Sequence, residues 1–244
     1  MNRLIGYVVL IGICLCLSVG CVTTNTSCVQ SVQGSGYAKS ESRQVDSFTG
    51  IDLKGNGDLY VTQGGPQEVR VVADDNLLPL IPTSVQNGVL VIGNENTCFR
   101  NTSPVKVFVK APGIRRLTVS GSGSINSDSV IMTEALETAI SGAGVIDLQV
   151  EATTLATRIT GDGTATITGS VKSHTITISG NGKIFSPGLV TSTTSIDISG
   201  SGRTDVHVLD TLNLKITGSG TVNYSGNPKT VNKEVNGVAK INPV

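Results

Sequence analysis

Two short stretches of the chain alternate strictly between polar and aliphatic residues. Thr175-Ile-Thr-Ile178 shows this alternation, and Ser195-Ile-Asp-Ile198 repeats it further along the chain. Because successive side chains of a β-strand point to opposite sides, a period of two predicts strands with one buried face. Helical repeats would need apolar residues three and four positions apart, and leucine-rich repeats would need ladders of Leu and Asn. Neither pattern is present here.

Each alternating stretch ends in a Gly-x-Gly motif, and this motif occurs six times in succession. Its copies start 21, 19, 19, 20 and 18 residues apart. A Ser or Thr precedes every copy, and an aliphatic residue precedes that Ser or Thr. The first glycines of the six copies are Gly121, Gly142, Gly161, Gly180, Gly200 and Gly218. Self-similarity at a fixed period of about 20 residues predicts a solenoid.

A coil of this length holds two or three short strands with turns, which is typical of a parallel β-helix. Like residues of successive coils then stack about 4.8 Å apart. We therefore predict an inward aliphatic ladder from Val119 to Ile216, an outward Ser/Thr ladder beside it, and glycines at a corner of the coil. The composition agrees with an all-β protein of 244 residues, since Gly is abundant, β-branched residues dominate and aromatics are only 3%.

The repetition also decides what the Gly-x-Gly motifs do. A dinucleotide-binding fingerprint needs a third glycine between a strand and a helix, and no helical pattern follows these motifs. Calcium-binding nonapeptide repeats need a recurring Asp at nine-residue spacing, whereas the middle residues here include one carboxylate, Asp162. We interpret the motifs as structural corners.

The region before the repeat is less regular. It contains an earlier copy of the corner, Gly55-Asn-Gly57, flanked by alternating residues. Asn87-Gly88 lies between two apolar runs, which is a strong hairpin signal. We expect these N-terminal strands to cap the first coil of the solenoid, because an open β-edge invites aggregation.

The N-terminus has the pattern of an export signal. Residues 1–20 combine a short basic start with an apolar run of 17 residues and small residues before Cys21. This arrangement resembles a bacterial lipobox, so we predict that Cys21 is acylated. By resemblance to enterobacterial sorting, the absence of Asp after Cys21 favours the outer membrane. The alternative is a transmembrane anchor, for which 17 apolar residues is short.

Residues 21–43 are rich in Thr, Ser, Gln and Asn, and we interpret them as a flexible linker. Beyond Cys21, only Cys28 and Cys98 remain outside the signal, so they either form one disulfide in an oxidising compartment or stay free. Two cysteines without histidines at ligand spacing disfavour a zinc site. The formal net charge of zero gives no reason to expect nucleic acid as a partner.

The combined pattern resembles the head GIN domain family, whose members are described as auto-transporter adhesins of bacterial envelopes. The resemblance rests on SFTGIDLKGNGDLYVTQG, DDNLLPLIPTSVQNGVLVI, VFVKAPGIRRLTVSGSG, the repeated ISGSG and VNYSGNP. It implies a right-handed parallel β-helix over residues 44–228, with residues 229–244 as a C-terminal tail. The family supplies no catalytic motif and no cofactor.

An enzyme remains an alternative, because β-helices often carry polysaccharide lyases and hydrolases. Their sites need clustered acids and bases. The candidates near one corner are Asp197, Arg203, Asp205 and His207, and further candidates on earlier coils are Asp147 and Asp162. We interpret all of them as a solvated strand face, and we expect His174 at the surface as well. Aromatic platforms for stacking sugars are also hard to build with four Tyr, four Phe and no Trp.

The sequence therefore predicts a non-enzymatic, lipid-anchored protein of the cell envelope that serves adhesion or surface interaction. Its expected partners are the membrane, through the N-terminal lipid, and a glycan or an envelope protein. A polysaccharide-active enzyme and a structural or signalling-associated envelope component are the alternatives. We expect no metal site.

Overall fold

A computed structural model describes residues 31–93, 98–100 and 102–244. The described residues form nineteen β-strands and one short 3-10 helix, Leu78–Leu80, without any α-helix among them. The strands are β1 (Ser31–Gln33), β2 (Ala38–Ser42), β3 (Gly50–Gly55), β4 (Asp58–Gln63), β5 (Glu68–Asp74), β6 (Thr83–Gln86), β7 (Val89–Ile92), β8 (Cys98–Arg100), β9 (Lys106–Ala111), β10 (Arg116–Gly121), β11 (Ser124–Ser127), β12 (Ile131–Gly142), β13 (Val145–Gly161), β14 (Thr164–Gly180), β15 (Lys183–Gly200), β16 (Arg203–Gly218), β17 (Thr221–Ser225), β18 (Thr230–Gly237) and β19 (Lys240–Pro243).

The fold is a parallel β-solenoid of about seven turns with about 19 residues per coil, which confirms the predicted fold class. The long strands β12 to β16 pair in parallel, each with the next coil. The register shifts between Thr166 and Gly169 where β14 pairs with β15, and between Ser186 and Thr193 where β15 pairs with β16. The stacked strands form two sheets of the solenoid, and each sheet has one face on the outside. Face A contains the strand residues that follow each Gly-x-Gly corner, and face B contains those that precede it.

The predicted inward ladder lies on face B and is buried throughout. Val119 pairs with Ile140, and the series continues coil by coil at 0 to 2% exposure. Its members are Leu53, Val119, Ile140, Ile159, Ile178, Ile198 and Ile216. The Ser and Thr residues that follow them lie outside, as predicted. Stacking like residues buries apolar area at every coil, and this burial stabilises the solenoid.

The Gly-x-Gly motifs form the corner of each coil, and each of their two glycines is required for a different reason. Gly180 has a φ of +120°, and a Cβ there would lie 2.7 Å from the carbonyl oxygen of Gly161 in the coil below. Gly163 has no such φ, but its Cβ would lie 2.5 Å from Cγ2 of Ile140. The first glycine therefore allows the turn, and the second allows close packing on the inward ladder.

The N-terminal region closes one end of the solenoid, as predicted. Here the order along the chain differs from the order in space, because β3 lies between β7 and β10, and β4 lies between β9 and β11. Antiparallel pairing then extends both faces, with β6 on β7 and with β5 and β2 beyond β9. Asn87 and Gly88 both have positive φ, so the predicted hairpin turn between β6 and β7 is confirmed.

The segment predicted as a flexible linker contains ordered strands in its last part. β1 pairs with β8, and β2 pairs with β5. Asn76 also contacts this segment, because its side-chain amide donates to the carbonyl oxygen of Gln33 at 2.8 Å and its Oδ1 accepts from the backbone N–H of Ser35 at 2.9 Å. The buried carboxylate of Asp74, beside Gly34, accepts hydrogen bonds from the backbone N–H groups of Thr102 (2.9 Å) and Ser103 (3.3 Å). Two paired strands therefore precede residue 44, the predicted start of the β-helix domain.

Residues 229–244, which were predicted as a C-terminal tail, contain two strands. β18 and β19 form a final coil in register with β16 and β17, and Gly237 occupies the corner. The sequence analysis did not detect this coil, because the coil has no Gly-x-Gly motif and has Lys233 where earlier coils have an aliphatic residue.

Candidate interaction face

The predicted acid and base residues of β16 lie side by side on the outward side of face A. Arg203 forms an ion pair with Asp205, with 3.3 Å between Nε and Oδ2. Asn223 of the next coil donates its side-chain amide to the other carboxylate oxygen of Asp205. Both carboxylate oxygens of Asp205 therefore accept hydrogen bonds from neighbouring side chains, and the contact with Asn223 links successive coils along the surface.

His207 contacts a hydroxyl that the sequence analysis did not single out. Its Nδ1 lies 3.0 Å from Oγ of Ser225 in the next coil. That hydroxyl donates its proton to the carbonyl oxygen of Val206, at 3.4 Å. The arrangement that satisfies both contacts has the imidazole as donor to Ser225, which is the reverse of a general base that activates a serine.

The remaining predicted carboxylates do not join this group. Asp197 lies on face B, in register with Thr177 and Lys215. Asp147 is on the same outward column as Asp205 but three coils earlier, about 14 Å away at the usual strand spacing. Asp162 lies in a corner, where it accepts a hydrogen bond of 2.9 Å from Asn181.

The expectation that His174 lies at the surface is wrong. The side chain is 1% exposed and stacks between Leu155 and Thr194, in an inward column of face B. Its Nε2 lies 2.9 Å from the hydroxyl of Thr157, while Nδ1 has no hydrogen-bond partner. Burial lowers the pKa of His174 to about 3, because the charged form loses its hydration inside the core.

A groove on face B is a candidate site for recognition, and we call it the axial groove. It runs across the last four coils and has a volume of about 460 Å³. Two outward columns form its walls, and the strand backbone between them forms its floor. One wall consists of Thr175, Ser195, Asn213 and Asn232, and the other consists of Thr177, Asp197, Lys215 and Glu234.

Three of the four residues of the first wall form a hydrogen-bonded ladder. Asn232 donates its amide to Oδ1 of Asn213 at 2.8 Å, and Asn213 donates to Oγ of Ser195 at 3.2 Å. This ladder fixes the side-chain rotamers along the groove and leaves further donor and acceptor positions for a ligand. Thr175 continues the wall by one coil, so the same kind of polar group recurs at every step along the axis.

The second wall alternates in charge. Asp197, Lys215 and Glu234 follow one another at successive coils, with opposite charges as neighbours. Sequence reasoning missed the groove. Taking outward residues at the coil period groups each wall into a column, but it does not show that the surface between the two columns is concave.

Aromatic side chains occur at the other end of face A. Tyr60 and Phe108 stack with their ring centroids 5.2 Å apart, and the guanidinium of Arg70 covers the other side of Phe108 at 4.2 Å. Each face of the Phe108 ring already has a partner, so the three side chains stack on one another from strand to strand. It does not present an open platform on which a sugar ring could stack.

The predicted acylation and the predicted disulfide fall largely outside the described residues. The signal segment, Cys21 and Cys28 lie there, while the backbone of Cys98 is in β8. Across the described part of the chain, no three His, Cys, Asp or Glu side chains come together in a group that could hold a metal ion. Within those same residues, no helix is long and apolar enough to cross a membrane. Acylation and the disulfide stay predictions.

Solved structures share this architecture. A structure of a putative adhesin from Bacteroides fragilis NCTC 9343 matches with a TM-score of 0.81 at 21% identity, over 87% of this chain and 100% of that chain. A putative lipid binding protein from Parabacteroides distasonis ATCC 8503 matches with a TM-score of 0.74 at 21% identity, over 88% and 100%. A putative adhesin from the same organism gives 0.71 at 24% identity, over 88% and 100%. These likenesses show the fold.

Sequence comparisons identify the family. Among curated proteins, no sequence matched the chain. A family model described as "Putative auto-transporter adhesin, head GIN domain" matches residues 47–228. The match covers the six Gly-x-Gly corners and three of the four coils that line the axial groove, while β18 lies beyond it. The chain therefore belongs to the head GIN domain family.

Proposed function

We propose that this protein is a non-enzymatic adhesion module of the bacterial cell envelope, and that it binds glycan chains along the axial groove. The description of the family as adhesins supports the class of function. The observation that carries the ligand class is the ladder of Ser195, Asn213 and Asn232 along one wall of the groove.

The geometry of the groove suits an extended, polyhydroxylated chain. A ligand aligned with the solenoid axis meets a hydroxyl or amide at intervals of about 4.8 Å. Each direct hydrogen bond contributes about 0.5–1.5 kcal/mol net, so affinity would accumulate over several sugar units. Lys215 and the carboxylates of the second wall can add charge-assisted contacts with substituents on the sugars.

The proposal includes attachment to the membrane by lipid on Cys21, in the outer membrane. The sequence around Cys21 supports this anchor, and residues 22–30 would connect it to β1. The axial groove lies at the C-terminal end of the solenoid, and the strands nearest the anchor belong to the capped end. A module anchored in this way would present its groove away from the bilayer.

A non-enzymatic role is supported by the contacts of the acid and base residues. Asp205 is occupied by Arg203 and Asn223, and Ser225 donates its proton to a backbone carbonyl. Hydrolysis of a glycosidic bond by two carboxylates needs them about 5–10 Å apart across the substrate. Asp197 lies on the other face from Asp205, so these two do not flank a common substrate.

The test is binding of residues 22–244, which contain every described strand, to an array of host and bacterial envelope polysaccharides. We expect saturable binding to one polysaccharide class. Asn213→Ala should weaken it at least tenfold, because it interrupts the ladder in the middle of the groove. Asn181→Ala is the matched control: it also removes an asparagine from the solenoid surface, but in a corner outside the groove.

Equal binding by both variants would place the ligand elsewhere on the surface and contradict the groove assignment. An absence of binding to any polysaccharide at high micromolar concentration would contradict glycan adhesion and favour a structural role. Release of reducing ends from a bound polysaccharide, abolished by Asp205→Asn and His207→Ala, would overturn the non-enzymatic assignment.

A further inference from the structure

In the described part of the chain, the last coil of the solenoid, β18 and β19, forms a sheet edge on both faces. β18 pairs with β16 and β19 pairs with β17, and among the described strands neither has a partner on its other side. At the opposite end, β6, β5 and β2 extend the sheets in antiparallel fashion. An open edge presents a row of backbone N–H and C=O groups that can pair with an added strand.

The inward side chains of β18 define what such a strand must contain. Val231, Lys233 and Val235 continue the columns that end in Leu212, Leu214 and Ile216 one coil earlier. Those three residues are 0 to 3% exposed, whereas Val235 is 40% exposed because no coil covers it. In order along β18, the inward side chains at this edge are therefore apolar, cationic and apolar.

We propose that this end is a docking edge for an added β-strand. The inward residues of that strand are apolar, acidic and apolar in order, and its carboxylate lies opposite Lys233. Covering Lys233 with an apolar residue would bury an unpaired ammonium, which costs several kcal/mol. A carboxylate one strand away, at about 4.8 Å between backbones, can neutralise it. Backbone pairing would supply affinity, and the alternate side chains would supply specificity.

A second copy that docks through the same end does not meet this requirement. The inward residues that its last coil offers are Val231, Lys233 and Val235 on one face, and Ile241 and Pro243 on the other. Glu234 is adjacent to Lys233 in sequence and therefore points to the outer side of the sheet. Lys233 thus disfavours the pairing of two copies through this end.

This inference concerns the sheet edge and goes beyond the proposed glycan binding. Because Lys233 also borders the axial groove, the test uses stability and backbone protection instead of glycan affinity. Residues 22–244 are extended after Val244 by a flexible Gly/Ser linker and either Val-Thr-Glu-Thr-Val or Val-Thr-Lys-Thr-Val. Tethering raises the effective concentration of the strand to the millimolar range.

We expect the acidic extension to raise the unfolding midpoint and to slow amide hydrogen exchange of β18 at least tenfold, and the basic extension to do neither. Lys233→Glu should reverse this preference. Lys215→Glu is the matched control, since it makes the same charge change one coil earlier on the outer side, and it should keep the preference for the acidic extension.

Equal protection by the two extensions, or an unchanged preference in Lys233→Glu, would overturn the proposal. Sedimentation velocity of the unextended protein provides a second check. A concentration-dependent dimer that disappears in Lys233→Glu would mean that a second copy occupies the edge, which also contradicts it.

Discussion

The coils after residue 116 and the region before residue 112 are assembled in different ways. In the coils, each strand pairs with the strand about one coil later, so order along the chain equals order along the axis. In the N-terminal region, β3 and β4 are placed between strands that follow them in the chain. The coils are therefore stabilised by repetition, and the N-terminal region by contacts that occur once, such as those of Asp74.

Packing at the corner shows the same difference. In the coils, a Cβ on Gly163 would lie 2.5 Å from Ile140. In the N-terminal copy of the motif, a Cβ on Gly57 would meet its nearest atom, Cγ1 of Val105, at 3.4 Å. A repeated coil thus leaves less space at its corner than the unique region does.

The largest expected effect comes from a charge in the inward ladder. Ile178→Asp would bury an unpaired carboxylate where Ile178 is 0% exposed, and we expect the domain not to fold. The cost of several kcal/mol is comparable with the stability of a typical domain, about 5–15 kcal/mol. Circular dichroism and urea unfolding measure this effect.

Ser179→Asp is the control for this substitution, because it introduces the same carboxylate at the next residue, which is exposed. We expect it to fold with nearly unchanged stability. A soluble, fully folded Ile178→Asp protein would contradict the assignment of the ladder to the core.

The ladder, the glycine corners, the hairpin and the cap were predictable because each leaves a local or periodic signal. The position of β3 between β7 and β10 was not, because no residue in β3 encodes which strands lie on either side. His174 did leave a signal: counting back by two from the buried Ile176 puts it inside. The groove was missed because its walls are polar, and polar residues at outward positions look alike whether or not they line a concavity.

A smaller effect tests the corner directly. Gly163→Ala should destabilise the protein by about 1–3 kcal/mol, because the added methyl group overlaps Ile140 and the core is already full. Gly57→Ala should change the stability by less than about 1 kcal/mol, since its methyl group would be in ordinary contact with Val105. Urea unfolding of the two variants gives the difference. Equal destabilisation would show that both regions pack their corners equally tightly.

A dependence of stability on pH also separates the two regions. In the coils, His174 has a pKa of about 3 instead of 6.5, so stability falls as pH decreases from about 6.5 towards 3, because the unfolded chain binds a proton there and the folded one does not. In the N-terminal region, burial alone would raise the pKa of Asp74, but hydrogen bonds from Thr102, Ser103 and Gly36 lower it overall. The stability that Asp74 contributes is therefore present above about pH 4 and is lost below it.

Between pH 7 and pH 5, the contribution of His174 to this loss is about 2 kcal/mol. We expect His174→Leu to remove it, since Leu155 and Leu212 show that the inward column accepts leucine. Asp74→Asn is the comparison: it should destabilise the N-terminal region but keep the slope between pH 7 and pH 5. Urea unfolding at both pH values measures the two slopes. If His174→Leu kept the full slope, protons would be entering the folded protein elsewhere, and the burial of a neutral His174 would not be what makes the coils sensitive to acid.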